Sequence, residues 1–262
     1  MSLADVLDRN QVLAGLAAAH AARVMPYLTP VRLRLRQCLE APNRPIATAY
    51  FPVRGIVSVV ATSPNRRHKA EVGVIGFDGM TGSTIALGLE TSPFTAFVQT
   101  EGDGLCLPAR ELIQLLDESE SLRSALLRYI QAFVAQMAQT ALANAKGNIT
   151  HRLARSLLMA HDRTAGDELQ LTHEFLSVML GVRRSGVTVA LHELASRGLI
   201  SITRKNIVII SRPGLEAASN GLYSVAERDL IAGSLAAPQF DVAHSRPTES
   251  PHQRERTMKL GP

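Results

Sequence analysis

Arg183 and Arg184 stand side by side at the start of a stretch of helical periodicity. Two guanidinium groups at a helix N-terminus run against the helix dipole, so a phosphate or a guanine edge as partner would account for them. The helix they open, 184–197, places Val187, Ala190, Leu191 and Leu194 on one face. At about 100° per residue the opposite face shows Ser185, Val189, His192 and Ser196, with Arg184 and Thr188 at its edge. The segment before it, LTHEFLSVMLG, reads as a shorter helix with Thr172 as its cap and Phe175, Leu176, Met179 and Leu180 on one face. Gly181 sits where that helix must end in a left-handed residue. Helix, glycine turn, helix is a helix-turn-helix pattern, which lays its second helix in the major groove of double-stranded DNA with its N-terminal residues on base edges. Two short apolar strands, 199–203 and 207–211, bracket Arg204-Lys205-Asn206 as a small wing with two cations at its tip. The candidate DNA-binding residues are therefore Arg183, Arg184, Ser185, Thr188, Val189, His192, Arg204 and Lys205.

Other chemistries find no support. His192-Glu193 is not followed by a second His at zinc-protease spacing, and GxSxG, GxGxxG and the P-loop are absent. Catalytic residues, metal ligands and a cofactor are therefore not expected. The two cysteines, Cys38 and Cys106, exclude a disulfide scaffold and a four-cysteine metal site on one chain, and their apolar neighbours suggest buried thiols. Arg66-Arg67-His68-Lys69 follows Pro64-Asn65 and reads as a solvated hairpin tip. Gly73, Gly76, Gly79 and Gly82 recur every three residues. The favoured reading is tight turns between strands, the sharper one a backbone nest for an anion.

The elements that must position the basic helix come from the rest of the chain. At 262 residues there is room for one large domain or two small ones, and 46% hydrophobic with 19% charged residues is a globular composition. Net charge is +5, and residues 147–220 hold 9 Lys+Arg against 6 Asp+Glu, making this block the most basic part of the chain. No stretch of about 18 apolar residues is present, so no membrane span is expected. The opening residues show no basic region before an apolar run, so a cytoplasmic location is expected. Residues 11–28 suggest a short helix or two. From Val31 the period becomes two, with Val31, Leu33 and Leu35 alternating with arginines, and further strands are expected at 46–51, 55–62, 70–76, 94–100 and 104–108. Many short strands with regular turns argue an antiparallel sandwich or barrel.

A helix over 108–116 and a longer one over 119–145 follow. On the latter Leu122, Leu126, Tyr129, Phe133, Met137, Thr140 and Asn144 recur at close to heptad spacing. The seam either packs on the chain's own sheet or pairs with the same helix of a second chain. Its length favours pairing, with Leu122, Leu126, Tyr129, Phe133, Met137 and Thr140 as the interface of a homodimer. Gly147-Asn148 interrupts the pattern, and a new helix capped by Thr150 is expected to run to about 165–167.

In this order of elements, and above all in LTHEFLSVMLGVRRSGVTVALHELASRGLI, the chain resembles the Crp–Fnr superfamily of transcription regulators over roughly residues 10–220. The resemblance implies an α+β fold: an N-terminal antiparallel β jelly roll of the cyclic-nucleotide-binding type, a long dimerisation helix and a C-terminal winged helix-turn-helix. The chain then divides into an effector domain (1–118), the dimerisation helix (119–146) and the DNA-binding domain (147–232), and residues 233–262, rich in Ala, Pro, Ser, His and Arg with mixed charge, read as a disordered tail. The family's base-reading positions fall on Arg184, Ser185 and Val189. Arg184 matches the family's usual arginine, whereas Val189 replaces a second arginine often found there. The effector pocket implied by the resemblance falls on Gly82, Ser83, Phe94 and Thr95. Ser83 and Phe94 stand where cyclic-nucleotide-binding members carry Glu and Arg, so cyclic AMP is not expected to bind in the usual mode; an unknown small-molecule effector stays open. The expected partners are double-stranded DNA, a second copy of the chain and RNA polymerase, with no membrane and no enzymatic activity. The alternative is a ligand-sensing protein-interaction module without sequence-specific DNA binding.

Overall fold

The structure, a computed structural model, describes residues 9–16, 18–203 and 206–223. Two short helices, α1 (Gln11–Ala14) and α2 (Ala18–Val24), and a 3-10 turn at Met25–Tyr27 lead in. Asn10 caps α1 with its side-chain oxygen, and its Nδ2 donates to the carbonyls of Pro52 and Gly79, both at 2.8 Å, which pins this end to the strands below.

Seven strands follow: β1 (Thr29–Leu33), β2 (Cys38–Glu40), β3 (Thr48–Pro52), β4 (Ile56–Thr62), β5 (Lys69–Ile75), β6 (Thr95–Thr100) and β7 (Gly102–Pro108). They form two antiparallel sheets, ordered β1-β7-β3 and β2-β6-β4-β5. Phe51, Leu105 and Leu107 of the first sheet and Val57, Val59 and Ile75 of the second share one hydrophobic core. Strand β2 was not anticipated, because three residues are too few to show alternation. The first strand also stops short of expectation: Leu35 lies beyond it and is exposed, and Arg36 turns the chain in the left-handed region at φ 65°.

Helix α3 (Ala109–Glu118) leaves β7, and α4 (Glu120–Lys146) follows with Ser119 as its cap. Helix α5 (Ile149–His161) comes next. Its cap is Asn148, whose side chain accepts from His151 N at 2.8 Å, and not Thr150, whose hydroxyl instead donates to Glu193 at 2.6 Å. It ends at His161, about one turn before the expected end. Then come β8 (Glu168–Leu169), α6 (His173–Leu180), α7 (Arg184–Ser196), β9 (Ile200–Ile202), β10 (Ile207–Ile209) and α8 (Arg212–Ala218). The three short strands pair antiparallel in the order β8-β10-β9.

A second core gathers Leu153, Leu157 and Leu158 of α5, Leu176 of α6, Leu191 and Leu194 of α7 and Ile207 of β10. Ile56 and Val74 belong to it too, which is why β4 and β5 are buried on both faces rather than alternating. Phe97 of β6 meets Phe175 of α6 edge-on at 6.0 Å, and Gln99 donates to the Met179 sulfur at 3.4 Å. The cysteines depart from the sequence reading: Cys38 is exposed and Cys106 half-buried. Among the described residues no helix is long and apolar enough to cross a membrane. The expected tail, 233–262, lies outside the described residues.

Candidate nucleic-acid interface

Helix α6 begins where Thr172 Oγ1 accepts from Phe175 N at 3.2 Å. It ends at Gly181, left-handed at φ 61°, with Val182 N reaching back to Ser177 O at 3.0 Å. A side chain at that φ is disfavoured, so glycine suits the tight turn into α7. Helix α7 buries Val187, Ala190, Leu191 and Leu194, the face expected. Gly186 lets α5 come close, since a Cβ there would lie 3.0 Å from Ile149 Cδ1.

The opposite face of α7 is open. Arg183, Arg184, Ser185, Val189, His192 and Ser196 are all exposed or half-exposed, and Val189 is 68% accessible. Neither Arg183 nor Arg184 has an ion-pair partner among the described residues, and Arg183 at the cap position makes no side-chain capping bond. Thr188 plays a second part. Its hydroxyl donates to Arg184 O at 3.1 Å and sits 3.1 Å from His173 Nδ1, so it braces α7 against the first turn of α6. Arg204 and Lys205, the expected wing cations, lie outside the described residues.

Two supports of this surface were not anticipated. Glu193, on α7, accepts the Thr150 hydroxyl and ties the helix to α5. Arg212 pairs with Asp162 at 2.8 Å and donates to Tyr223 Oη at 2.7 Å, while Tyr223 donates to Asp162 at 2.6 Å, locking α8 to the end of α5. Neither pairing has a local spacing signature.

Two of the residues expected at an effector pocket, Gly82 and Phe94, are linked to a group that sequence reasoning passed over, Glu40. Gly82, left-handed at φ 72°, donates its N–H to Glu40 Oε1 at 2.5 Å. Glu40 also hydrogen-bonds Ser92, and Ser92 Oγ accepts from Phe94 N at 3.2 Å. Burial pushes the Glu40 carboxyl above its usual range, and the bonds from Gly82 and Ser92 oppose that. Ser83 opens a 3-10 turn, and Thr95 starts β6 opposite Val60. A carboxylate of the chain itself thus occupies the Gly82 donor.

The glycine repeat is neither a set of turns alone nor an anion nest. A Cβ at Gly73 would lie 2.7 Å from the Phe133 ring, at Gly76 2.8 Å from Arg163 Cγ and at Gly79 2.6 Å from Tyr129 Oη. Three glycines make room for side chains, the rings of Phe133 and Tyr129 on α4 and the stem of Arg163 just past α5, and of the four Gly82 alone needs its positive φ.

The expected interface on α4 is corrected for the residues that its own chain buries. Leu122, Leu126, Tyr129 and Phe133 are buried in the first core of their own chain, Met137 packs against the same core, and Thr140 donates to Gln136 O. Leu127, Val134 and Leu142 form a different stripe, and it is exposed. Both stripes are apolar at near-heptad spacing, so periodicity alone did not distinguish them.

Residues 151–218 match the model of the Crp-like helix-turn-helix domain. No curated protein sequence matches the chain. Among solved structures it is similar to a Crp/Fnr-family transcriptional regulator from Eubacterium rectale, with TM-score 0.63 and 16% identity over 81% of this chain and 99% of that one. It is also similar to FixK2 from Bradyrhizobium japonicum, with TM-score 0.61 and 17% identity over 73% and 96%. A third is the c-di-GMP-responsive global regulator CLP of Xanthomonas campestris, with TM-score 0.57 and 20% identity over 74% and 99%. At these identities the likeness is one of fold.

Proposed function

We propose that this chain, which carries a Crp-like helix-turn-helix domain within the fold of the Crp/Fnr regulators, is a transcription regulator that reads a pseudo-palindromic DNA site as a homodimer. The observation that carries the reading is the open face of α7. Arg184, Ser185, Val189 and His192 lie on the open side of a helix whose other face is fully packed. Arg184 in the first turn suits bidentate contact to guanine O6 and N7, and exposed Val189 suits a thymine methyl. Wing cations Arg204 and Lys205 would take phosphates, which fix position without carrying sequence. The family match points to a regulator rather than an enzyme.

Dimerisation runs through the exposed stripe of α4, whose helix of 27 residues spans about 40 Å. Two recognition helices about 34–36 Å apart would then meet successive turns of one face of DNA. The division of labour follows the break at Gly147-Asn148, with the β sheets as the effector part and residues after 147 as the DNA-binding part. The Glu40–Gly82 contact supports a pocket that does not take cyclic AMP in the usual mode, and leaves a different small molecule as effector. RNA polymerase is the protein partner of this reading, and the cytoplasm its compartment. Selection of bound sequences from a random duplex pool tests it. Enrichment of an inverted repeat with half-sites one helical turn apart is expected; a pool that stays unenriched would overturn it.

A further inference from the structure

The tip between β4 and β5 carries Arg66, Arg67, His68 and Lys69, all exposed. A hairpin tip with four basic groups would ordinarily be a solvated end of a sheet. Here it is built into the edge of the helix-turn-helix. The position a Cβ would take at Gly181 lies 3.7 Å from Lys69 O and 3.7 Å from Ala70 Cβ. Gly181 is the turn residue, three positions before Arg184. An open groove runs between the tip and the end of α6, lined by the four basic residues, by Arg152 of α5 and by Ser177, with no Asp or Glu on its walls among the described residues. Arg66, Arg67 and Lys69 make no ion pair among the described residues.

The tip is also held in shape. Asn65 Oδ1 accepts from Ser63 Oγ at 2.7 Å and from Arg67 N at 3.1 Å, and His68 N donates to Ser63 Oγ at 3.1 Å. Arg66 sits at φ 58°, a left-handed conformation that Gly or Asn adopts at lower cost. A long cation therefore occupies a place where a turn residue would be cheaper. Together these features form one unneutralised cationic surface that runs from the effector sheet to the turn before α7.

We infer that the β4–β5 tip binds the DNA sugar–phosphate backbone, extending the contact of each recognition helix with cations supplied by the effector part of the chain. This rests on the DNA-binding reading above. The ligand chemistry is the phosphodiester, because the groups are exposed, several and arrayed along a groove rather than converging on one enclosed point. Phosphate contacts carry no base information, so the tip contributes affinity and salt dependence but no specificity.

The test is a binding titration over salt with the full chain, using a duplex enriched from the random pool and a scrambled duplex of equal length. The variant R66N/R67Q/K69Q removes three charges and keeps a residue suited to the left-handed position; R66K/R67K keeps the charge. The triple variant is expected to bind both duplexes about tenfold or more weakly, by the same factor. Its log–log salt slope should be shallower by about 0.9 for every phosphate that the tip no longer neutralises. The lysine variant should retain most of the affinity. Unchanged affinity and slope in the triple variant, beside a wild type that binds, would overturn the inference. So would a loss confined to the enriched duplex, which would make the tip a base reader. A wild-type chain that retains neither duplex would instead overturn the DNA-binding reading itself.

Discussion

Tyr129 Oη donates to the Met80 carbonyl at 2.9 Å and accepts from the Met80 N–H at 3.0 Å, so one phenol satisfies both backbone groups of a fully buried residue. The pair fastens α4 to the loop after β5, and Gly79 leaves the space the ring needs. Tyr129→Phe keeps the ring and strands both Met80 groups without water. At about 1–3 kcal/mol for each buried group left unpaired, roughly 2–6 kcal/mol of stability should be lost, read as a lower denaturation midpoint by circular dichroism. A change within about half a kcal/mol would mean that the loop rearranges freely and is not held by this pair.

The correction on α4 makes a second test. Leu127→Asp with Val134→Asp places charges on the exposed stripe and should give monomers in sedimentation, with the fold intact. Charges at Tyr129 and Phe133 should unfold the protein instead, because these positions are core. Dimers that survive the first pair would place the interface elsewhere.

How far the sequence discloses this molecule follows from the range of the interactions involved. The helix-turn-helix is legible because its signals are local: Thr172 before the helix, Gly181 after it and the spacing of Val187, Leu191 and Leu194. The strands β3 to β7 are legible for the same reason. The two sides of α4 are not, since each presents an apolar stripe and only the sheet decides which one is covered. Glu40 is hidden from sequence reading because its partner Gly82 lies 42 residues away and strand β2 is too short to show a pattern. The spacing of Gly73, Gly76 and Gly79 is visible, but its cause, the rings of Phe133 and Tyr129 and the stem of Arg163, is set by tertiary packing.

A third test concerns Glu71. This carboxyl is buried between the four-stranded sheet and α5, hydrogen-bonded to Ser58, with Arg155 and Arg163 as nearby charges. Burial pushes its pKa up from 4.5 to about 7, and the Ser58 bond and the two arginines oppose the rise. The folded state thus holds the proton more tightly than the unfolded chain. The resulting stabilisation is fully present below pH 4.5, falls by about 1.4 kcal/mol per pH unit and is gone above about pH 7. Relative to Glu71→Gln, the wild type should lose about 3 kcal/mol of stability between about pH 4.5 and pH 7.5. Parallel stability curves for the two proteins would show that Glu71 does not titrate in this range.

A fourth concerns cyclic AMP. Ser83 and Phe94 replace the charged anchors that the family resemblance would call for, and Gly82 N–H is already bonded to Glu40. Bringing an anion beside that carboxylate without a guanidinium to pair it is unfavourable. Calorimetry at millimolar nucleotide should show no saturable heat. Saturation at micromolar concentration would mean that the nucleotide site lies on other residues.

The last test separates specificity from affinity on α7. Arg184 is exposed in the first turn, its guanidinium without an ion pair among the described residues, and the helix behind it is fixed by Thr188 on His173 and by Glu193 on Thr150. A guanidinium held this way can meet guanine O6 and N7 with two parallel bonds, and losing them costs about 1–3 kcal/mol of discrimination. Arg184→Ala should therefore flatten base preference at one position of each half-site and lower the ratio of specific to scrambled binding. Val189→Ala should act at a neighbouring position and weaken a preference for thymine, since an exposed isopropyl group there has only a methyl to meet. Both variants should keep most of the salt dependence, which the hairpin variant is expected to reduce. An Arg184→Ala protein that bound every duplex more weakly by one factor, with its sequence preference intact, would make Arg184 a phosphate contact and move base reading to Ser185, Val189 and His192.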